Sequence, residues 1–236
     1  MPAGAYRAAE DVEGGQRMRL AGREWRTLVS TARLDGRDHR VIRPARPIAH
    51  ASLAEGRHGA QLWVGQAAAA DLACAWWLAA RSPRSIVHLP LRSGAPDCGG
   101  EHGGRLLDLV LLHHSLAFPV SGWKRLRARL SPPAPHKVTL PPRAFPPVDH
   151  TRRWYREFRD HLHWRVAADT LFVTGSRPAY EFQGEQVRAL AEDAPARLAE
   201  DPGAHCCAEI ELGTWSPYSR RNPLALLHVE CCVRHG

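Results

Sequence analysis

The stretch HCCAEIELGTWSPYSRRNPLALLHVECC, residues 205–232, gathers four of the chain's six cysteines with two histidines and three glutamates. Thiol, imidazole and carboxylate together can make a metal site, a disulfide, or an acid–base pair. They can also make a sheet face that uses cysteine as a small apolar filler. HCCAEIEL and LLHVECCV both have strand composition, and the segment between them is rich in turn residues, so an antiparallel pair is expected. Side chains alternate across a strand. Cys206, Ala208, Ile210 and Leu212 therefore share one face with Leu227, Val229, Cys231 and Val233. The other face collects His205, Cys207, Glu209 and Glu211 with His228, Glu230 and Cys232. A register with Glu209 opposite His228 also sets Cys207 opposite Glu230 and His205 opposite Cys232. That register, or one two residues away, keeps the faces apart, and a one-residue slip mixes them.

Cys206 and Cys231 are expected to fill the core. The opposite face is either a solvated or partner-covered sheet surface or a site; as a site, Glu209 and His228 read as a general acid–base pair, because a carboxylate fixes the imidazole tautomer, with Glu230 as a second carboxylate. The same groups could bind zinc. Structural zinc sites usually draw ligands from close-spaced loop pairs, which are absent here, so no metal is assigned and no organic cofactor either.

The chain has no G-x-x-x-x-G-K-[ST], G-x-G-x-x-G, G-x-S-x-G, H-E-x-x-H or C-x-x-C. Further chemistry is sought where open α/β sheets bind ligands, beyond the carboxyl ends of their strands. The best such end is Gly175-Ser176-Arg177, where a Gly-Ser turn and an arginine suit an anion at a helix N-terminus. Arg92 ends another strand, and His114 of the His113-His114 pair is a further catalytic candidate. Arg220 and Arg221, in the turn between the cysteine strands, complete the expected substrate-binding set. Cys98 and His102 lie in a loop with five glycines (93–104), which suits a lid better than a two-ligand zinc site.

These residues need a frame. AQLWV (60–64), the alanine-rich helix 67–81 and SIVHLPL (85–91) read as a βαβ unit, which implies parallel strands. RLLDLVLLHHS (105–115) is continuously apolar like a buried strand. HKVTL (136–140) and RVAADTLFVTG (165–175) read as further strands, and EFQGEQVRALAEDAPARLAE (181–200) as a helix broken at Pro195. Short helices are expected around Glu24–Ala32 and after a Ser121 cap. TRRWYREFRDHLHW (151–164) reads as an amphipathic helix with Trp154, Phe158 and Leu162 on one stripe. The sequence shows no internal repeat. The resulting fold class is α/β: a mostly parallel central sheet, flanking helices and a C-terminal antiparallel strand pair. Its division is a polar extension (1–38), an α/β half (39–140), a proline-rich linker (141–150) and a second half (151–236) completing the same domain.

Composition bounds the function. Net charge is +8, and since two of the 32 basic residues are lysine, thirty are arginine. Guanidinium forks pair with carboxylate, phosphate and sulfate. The opening residues lack the apolar core of a secretory leader, and the longest apolar run, 67–80, holds Asp71 and is too short to span a bilayer. A soluble cytoplasmic protein with mostly reduced thiols and no membrane partner is expected. The leading functional expectation is a biosynthetic enzyme of small-molecule, including secondary, metabolism. Its substrate is anionic, free or carried by an acidic protein, and is handled by His/Glu acid–base chemistry. The alternative is a basic binding protein for nucleic acid or an acidic protein partner, using the 151–164 segment, whose Trp154 and Tyr155 can stack on bases.

Overall fold

Period-two alternation, the mark of a half-buried strand, runs through most of the chain. The computed structural model describes residues 18–56, 59–93, 104–213 and 224–232. Strand β1 is Glu24–Leu34 and forms a hairpin with β2, Arg37–Pro44. Trp25 and Val29 pack against the main core, whereas Ala32 and Leu34 join a second core on the opposite side of the sheet. That change of face, with Thr27 and Ser30 among the buried positions, hid the alternation, so the short helix expected around Glu24–Ala32 is instead a strand.

The next strands are β3 (Ala51–Gly56) and β4 (Gly59–Val64), followed by helix α1 (Gln66–Arg81), β5 (Ser85–Leu89) and β6 (Asp108–His113). A short helix, α2 (Trp123–Arg127), and β7 (Ala134–Thr139) come next. Gly122, not Ser121, precedes α2, and no side chain caps it. The second half runs β8 (His163–Ala167), β9 (Thr170–Gly175), α3 (Arg177–Glu192), α4 (Ala194–Glu200), β10 (Cys206–Leu212) and β11 (Ala225–Cys231).

Two sheets result, ordered β7-β1-β2-β5-β6-β9-β8 and β10-β11-β4-β3. The α/β class stands, but the expected mostly parallel sheet is corrected. Parallel pairing occurs at β2·β5, β6·β9 and β4·β11, and the other six pairings are antiparallel. The βαβ reading failed because β4 and β5 belong to different sheets, α1 crossing between them. Helices α1 and α3 pack side by side and share one core with residues of both sheets. A helix in that position must be apolar all round. Eleven of the sixteen residues of α1 are buried, mostly alanines that permit close approach.

The two halves share one element order, hairpin–helix–hairpin: β3-β4-α1-β5-β6 and β8-β9-α3-β10-β11, with α4 added in the second. Each sheet takes the last hairpin of one half and the first of the other, joined through a parallel pair. This repeat lies in topology, with no sequence self-similarity. At the β4·β11 junction Gly59 has φ +144°, and a Cβ there would stand 2.1 Å from the Leu226 carbonyl oxygen, so only glycine fits.

Two further readings are corrected. RVAADTLFVTG is a hairpin, its turn made by Ala168 and Asp169 at φ 49° and 53°. Glycine and asparagine usually fill such positions, so the turn left no sequence mark. The amphipathic helix at 151–164 does not form. After Asp149 caps a short 3₁₀ turn over His150–Trp154, the chain continues irregularly into β8. Leu162 is buried and its carbonyl accepts the Gly213 N–H at 2.7 Å, while Trp154 lies 78% exposed, so the expected stripe is split.

Tyr180 fixes the β6·β9 junction. Its buried hydroxyl accepts the Leu112 N–H at 3.0 Å and has the Val173 carbonyl oxygen at 2.8 Å. Replacing it with Phe strands a buried N–H and a carbonyl, and is expected to cost about 1–3 kcal/mol, read as a lower urea midpoint at unchanged slope. A loss below about 0.5 kcal/mol would show that the hydroxyl does not hold the junction.

Candidate functional site

Strands β10 and β11 pair in the register that the alternation selects: Cys207 opposite Glu230, Glu209 opposite His228, Cys206 opposite Cys231. Burial sets this register. Ile210, Leu212, Leu227 and Val229 are fully buried beneath it, and exposing each by a one-residue slip costs about 1.5–3 kcal/mol. An exposed ion pair across the strands contributes at most about 1 kcal/mol. The apolar face thus decides where the polar groups stand.

On the outer face the Glu209 carboxylate accepts from His228 Nδ1 at 2.5 Å. A carboxylate offers no proton, so Nδ1 carries the hydrogen, and in the neutral form of the ring Nε2 is the atom that presents a lone pair. Glu230 stands 3.9 Å from His228 Nε2 and 3.7 Å from His205 Nδ1. The rings of His205 and His228 are stacked, centroids 5.6 Å apart at 15°. One ligand atom from each of His205, Cys207 and His228 falls within 4.8 Å of the others. The Cys207 thiol is pushed up, first by partial burial and then by Glu209 and Glu230, so it stays protonated near neutral pH. Gln186 of α3 accepts the Glu209 N–H at 3.1 Å and pins the edge strand that carries these groups.

Beside the face runs a cleft of about 670 Å³ between α3, α4 and β10, lined by Gln186, Asp193, Arg197, Glu200, His205 and Cys207 among others. Arg197 is exposed there and has no ion-pair partner among the described residues. Sequence reading missed it, although PARLAE shows it on the short helix after the Pro195 break. His205 and Cys207 were placed on the right face but given no role.

The other expected site residues lie elsewhere. His114 follows β6 of the seven-stranded sheet, its ring edge-on to His113 at 4.7 Å. The anion site at Gly175-Ser176-Arg177 is taken by the chain's own groups. Ser176 caps α3 by accepting the Ala179 N–H and donates to the Asp160 carboxylate at 3.2 Å. Arg177 is paired with Glu181 at 2.8 Å. Gly175 serves packing, since a Cβ there would stand 2.5 Å from the Leu162 side chain. Arg92 is likewise engaged, with Asp108 and Asp169 at 3.2 Å each. Burial alone would raise the Asp108 carboxyl, but His88 and Arg92 outweigh it and hold it below the usual carboxylate range. Arg220, Arg221, Cys98 and His102 lie outside the described residues.

No family model matches the chain, and no curated protein or solved structure matches it either. Among the described residues no helix is long and apolar enough to cross a membrane.

Cys74, Cys206, Cys207 and Cys231 are free thiols, whereas Cys232, expected on the outer face with Cys207, is disulfide-bonded. Burial pushes Cys231 up to about 11 and Cys74 up to about 12. Iodoacetamide on the native protein, read by peptide mass mapping, should therefore modify Cys207 at least about tenfold faster than Cys206 or Cys231. Equal rates at the three would contradict the register.

Proposed function

We propose that the protein is an enzyme acting on a small anionic molecule at the outer face of the four-stranded sheet. The observation that carries this is the Glu209–His228 contact at 2.5 Å. A carboxylate that holds Nδ1–H leaves Nε2 to take a proton, which is the arrangement a general base requires. Arg197 in the adjoining cleft, without an ion-pair partner among the described residues, supplies a guanidinium for the anionic group, while His205 and Cys207 line the cleft beside the base. Glu230, beside both imidazoles, is the second carboxylate.

A second reading, a basic binding protein, is favoured by one observation. Trp154 and Tyr155 are exposed at the rim of a cavity of about 500 Å³ that Arg153, Arg156 and Arg159 also line. Arg153 is tied to Glu211 at 2.6 Å, and Arg159 donates to the Arg156 and Phe158 carbonyls. The patch offers less free charge than the sequence suggested. Steeply salt-dependent binding to random DNA or RNA would favour this reading over the enzyme.

The enzyme is tested with 4-nitrophenyl phosphate, sulfate and succinate as anionic probes. Glu209→Gln keeps the side-chain shape and should lower kcat by about 10²–10⁴-fold at an unchanged unfolding midpoint. Arg197→Ala should raise KM with little change in kcat, the mark of lost ground-state binding. Turnover in Glu209→Gln within twofold of wild type, or none in the wild type with any probe, would remove the reading.

A further inference from the structure

Three features of the outer face are not explained by an acid–base pair: a stacked second histidine just before β10, a cysteine two residues further along, and a second carboxylate, Glu230, beside both imidazoles in a chain of net charge +8. We propose that His205, Cys207 and His228 bind one zinc-class divalent cation, with an open fourth position facing Glu230 and the cleft. This rests on the same face being the active site; with the cation bound, His228 Nε2 is a ligand and Glu230 takes its place as the base.

The geometry fits the ion. Zinc takes imidazole nitrogen at about 2.0–2.1 Å and thiolate at about 2.3 Å, so tetrahedral ligands stand roughly 3.3–3.8 Å apart. The three ligand atoms already lie within 4.8 Å of one another, a gap that side-chain rotation closes without moving a strand. Cys207 stands on β10 and His205 immediately precedes that strand, its ring stacked on that of His228. His228 comes from the paired strand, one diagonal step from Cys207. The frame beneath is rigid because the inner faces of both strands are buried.

The surroundings fit as well. A metal-bound histidine typically gives its second nitrogen to a carboxylate, which fixes the tautomer and raises ligand basicity. Glu209 does this to His228 Nδ1 and leaves Nε2 for the cation. A nitrogen–sulfur ligand set favours zinc over magnesium or calcium, which prefer oxygen. Three protein ligands with a vacant fourth are the pattern of catalytic sites, four that of structural ones. A water in the fourth position would lose its proton to Glu230 and become bound hydroxide, while Arg197 holds the anionic end of the substrate. The close-spaced loop pairs expected of zinc sites are replaced here by strand alternation and cross-strand pairing.

The test is metal binding by the full chain stripped with a chelator and then titrated with zinc against a chromophoric competitor, with cobalt as a spectroscopic substitute. Wild type should bind one tight equivalent, and the cobalt form should show a thiolate charge-transfer band that Cys207→Ser abolishes. His205→Ala, Cys207→Ser and His228→Ala should each weaken zinc by about 100-fold or more. Glu209→Gln should weaken it by about 10–100-fold. Circular dichroism and urea unfolding of each variant separate lost ligands from lost fold. Added azide should perturb the cobalt spectrum, and a spectrum blind to azide overturns the open position. No zinc binding by wild type, or undiminished binding by folded Cys207→Ser and His228→Ala, overturns the site. The two readings fail separately. Absent zinc binding with Glu209→Gln still impaired in turnover leaves the metal-free acid–base pair. Zinc binding with turnover indifferent to Glu209→Gln leaves a metal site and removes that catalytic reading.

Discussion

The packing of α1 against α3 between two sheets is the constraint on which the rest depends, and Trp76 and Tyr180 carry its polar part. The indole N–H of Trp76 donates to the Tyr180 carbonyl at 2.8 Å, and the two rings meet edge to face at 5.1 Å. The Tyr180 hydroxyl then enters the parallel junction of β6 and β9. One residue therefore ties two helices and two central strands. Both side chains are fully buried, so each polar atom must find a partner there or cost the full desolvation of a buried group. The consequence reaches the site. Once α3 is fixed, Gln186 two turns further along meets the Glu209 N–H and holds the edge strand β10 in place.

Charge is spent inside the molecule more than the composition suggested. Arg81, Arg92, Arg127, Arg152, Arg153 and Arg188 all find acidic partners within 3.2 Å. Those exposed to solvent contribute about 0–1 kcal/mol each. The Asp108 group differs, because its carboxylate is nearly buried and accepts from two backbone N–H groups and two guanidinium groups. Many arginines are therefore structural, and a positive total does not by itself indicate an anionic partner. The proposed site is locally acidic, with Glu209 and Glu230 beside its two histidines while Glu211 is paired with Arg153, which suits a cation first and an anionic substrate through it.

Legibility in the sequence followed the strength of the periodic signal. The β10–β11 register could be read, to within a shift of two residues, because four large apolar side chains alternate with charged ones and a one-residue slip would expose them. Helix α1 could be read from its alanines. What failed were features written in tertiary contacts. Nothing in residues 60–91 says that α1 crosses from one sheet to another instead of returning to the first. Ala168 and Asp169 adopt a turn that their side chains do not advertise. The stripe at Trp154, Phe158 and Leu162 has helical spacing, yet Leu162 is claimed by packing under Gly175 and by the bond to Gly213. The Gly175-Ser176-Arg177 turn has the composition of an anion site, but the chain supplies the anion itself as Asp160.

The repeated topology provides an internal control for the outer face. Strands β5 and β6 stand in the seven-stranded sheet where β10 and β11 stand in the four-stranded one. Their outward side chains are Ile86, His88, Asp108, Val110 and Leu112, sealed by Trp123 and Phe118. There too a histidine meets a carboxylate across the pair, His88 Nε2 lying 3.7 Å from Asp108. Burial holds His88 below the ordinary histidine value, so it is neutral, and it packs edge-on against Trp123. The fold thus accepts an apolar, covered face at this position. It needs only an alternating strand pair, and a merely solvated face would be met as well by threonine, lysine or serine. A histidine–carboxylate contact is therefore something the fold also uses in a covered hairpin; what sets β10 and β11 apart is that theirs stands on a solvent-facing surface together with Cys207 and Glu230. Their position on a hairpin left open beside a cleft supports the proposed chemical role.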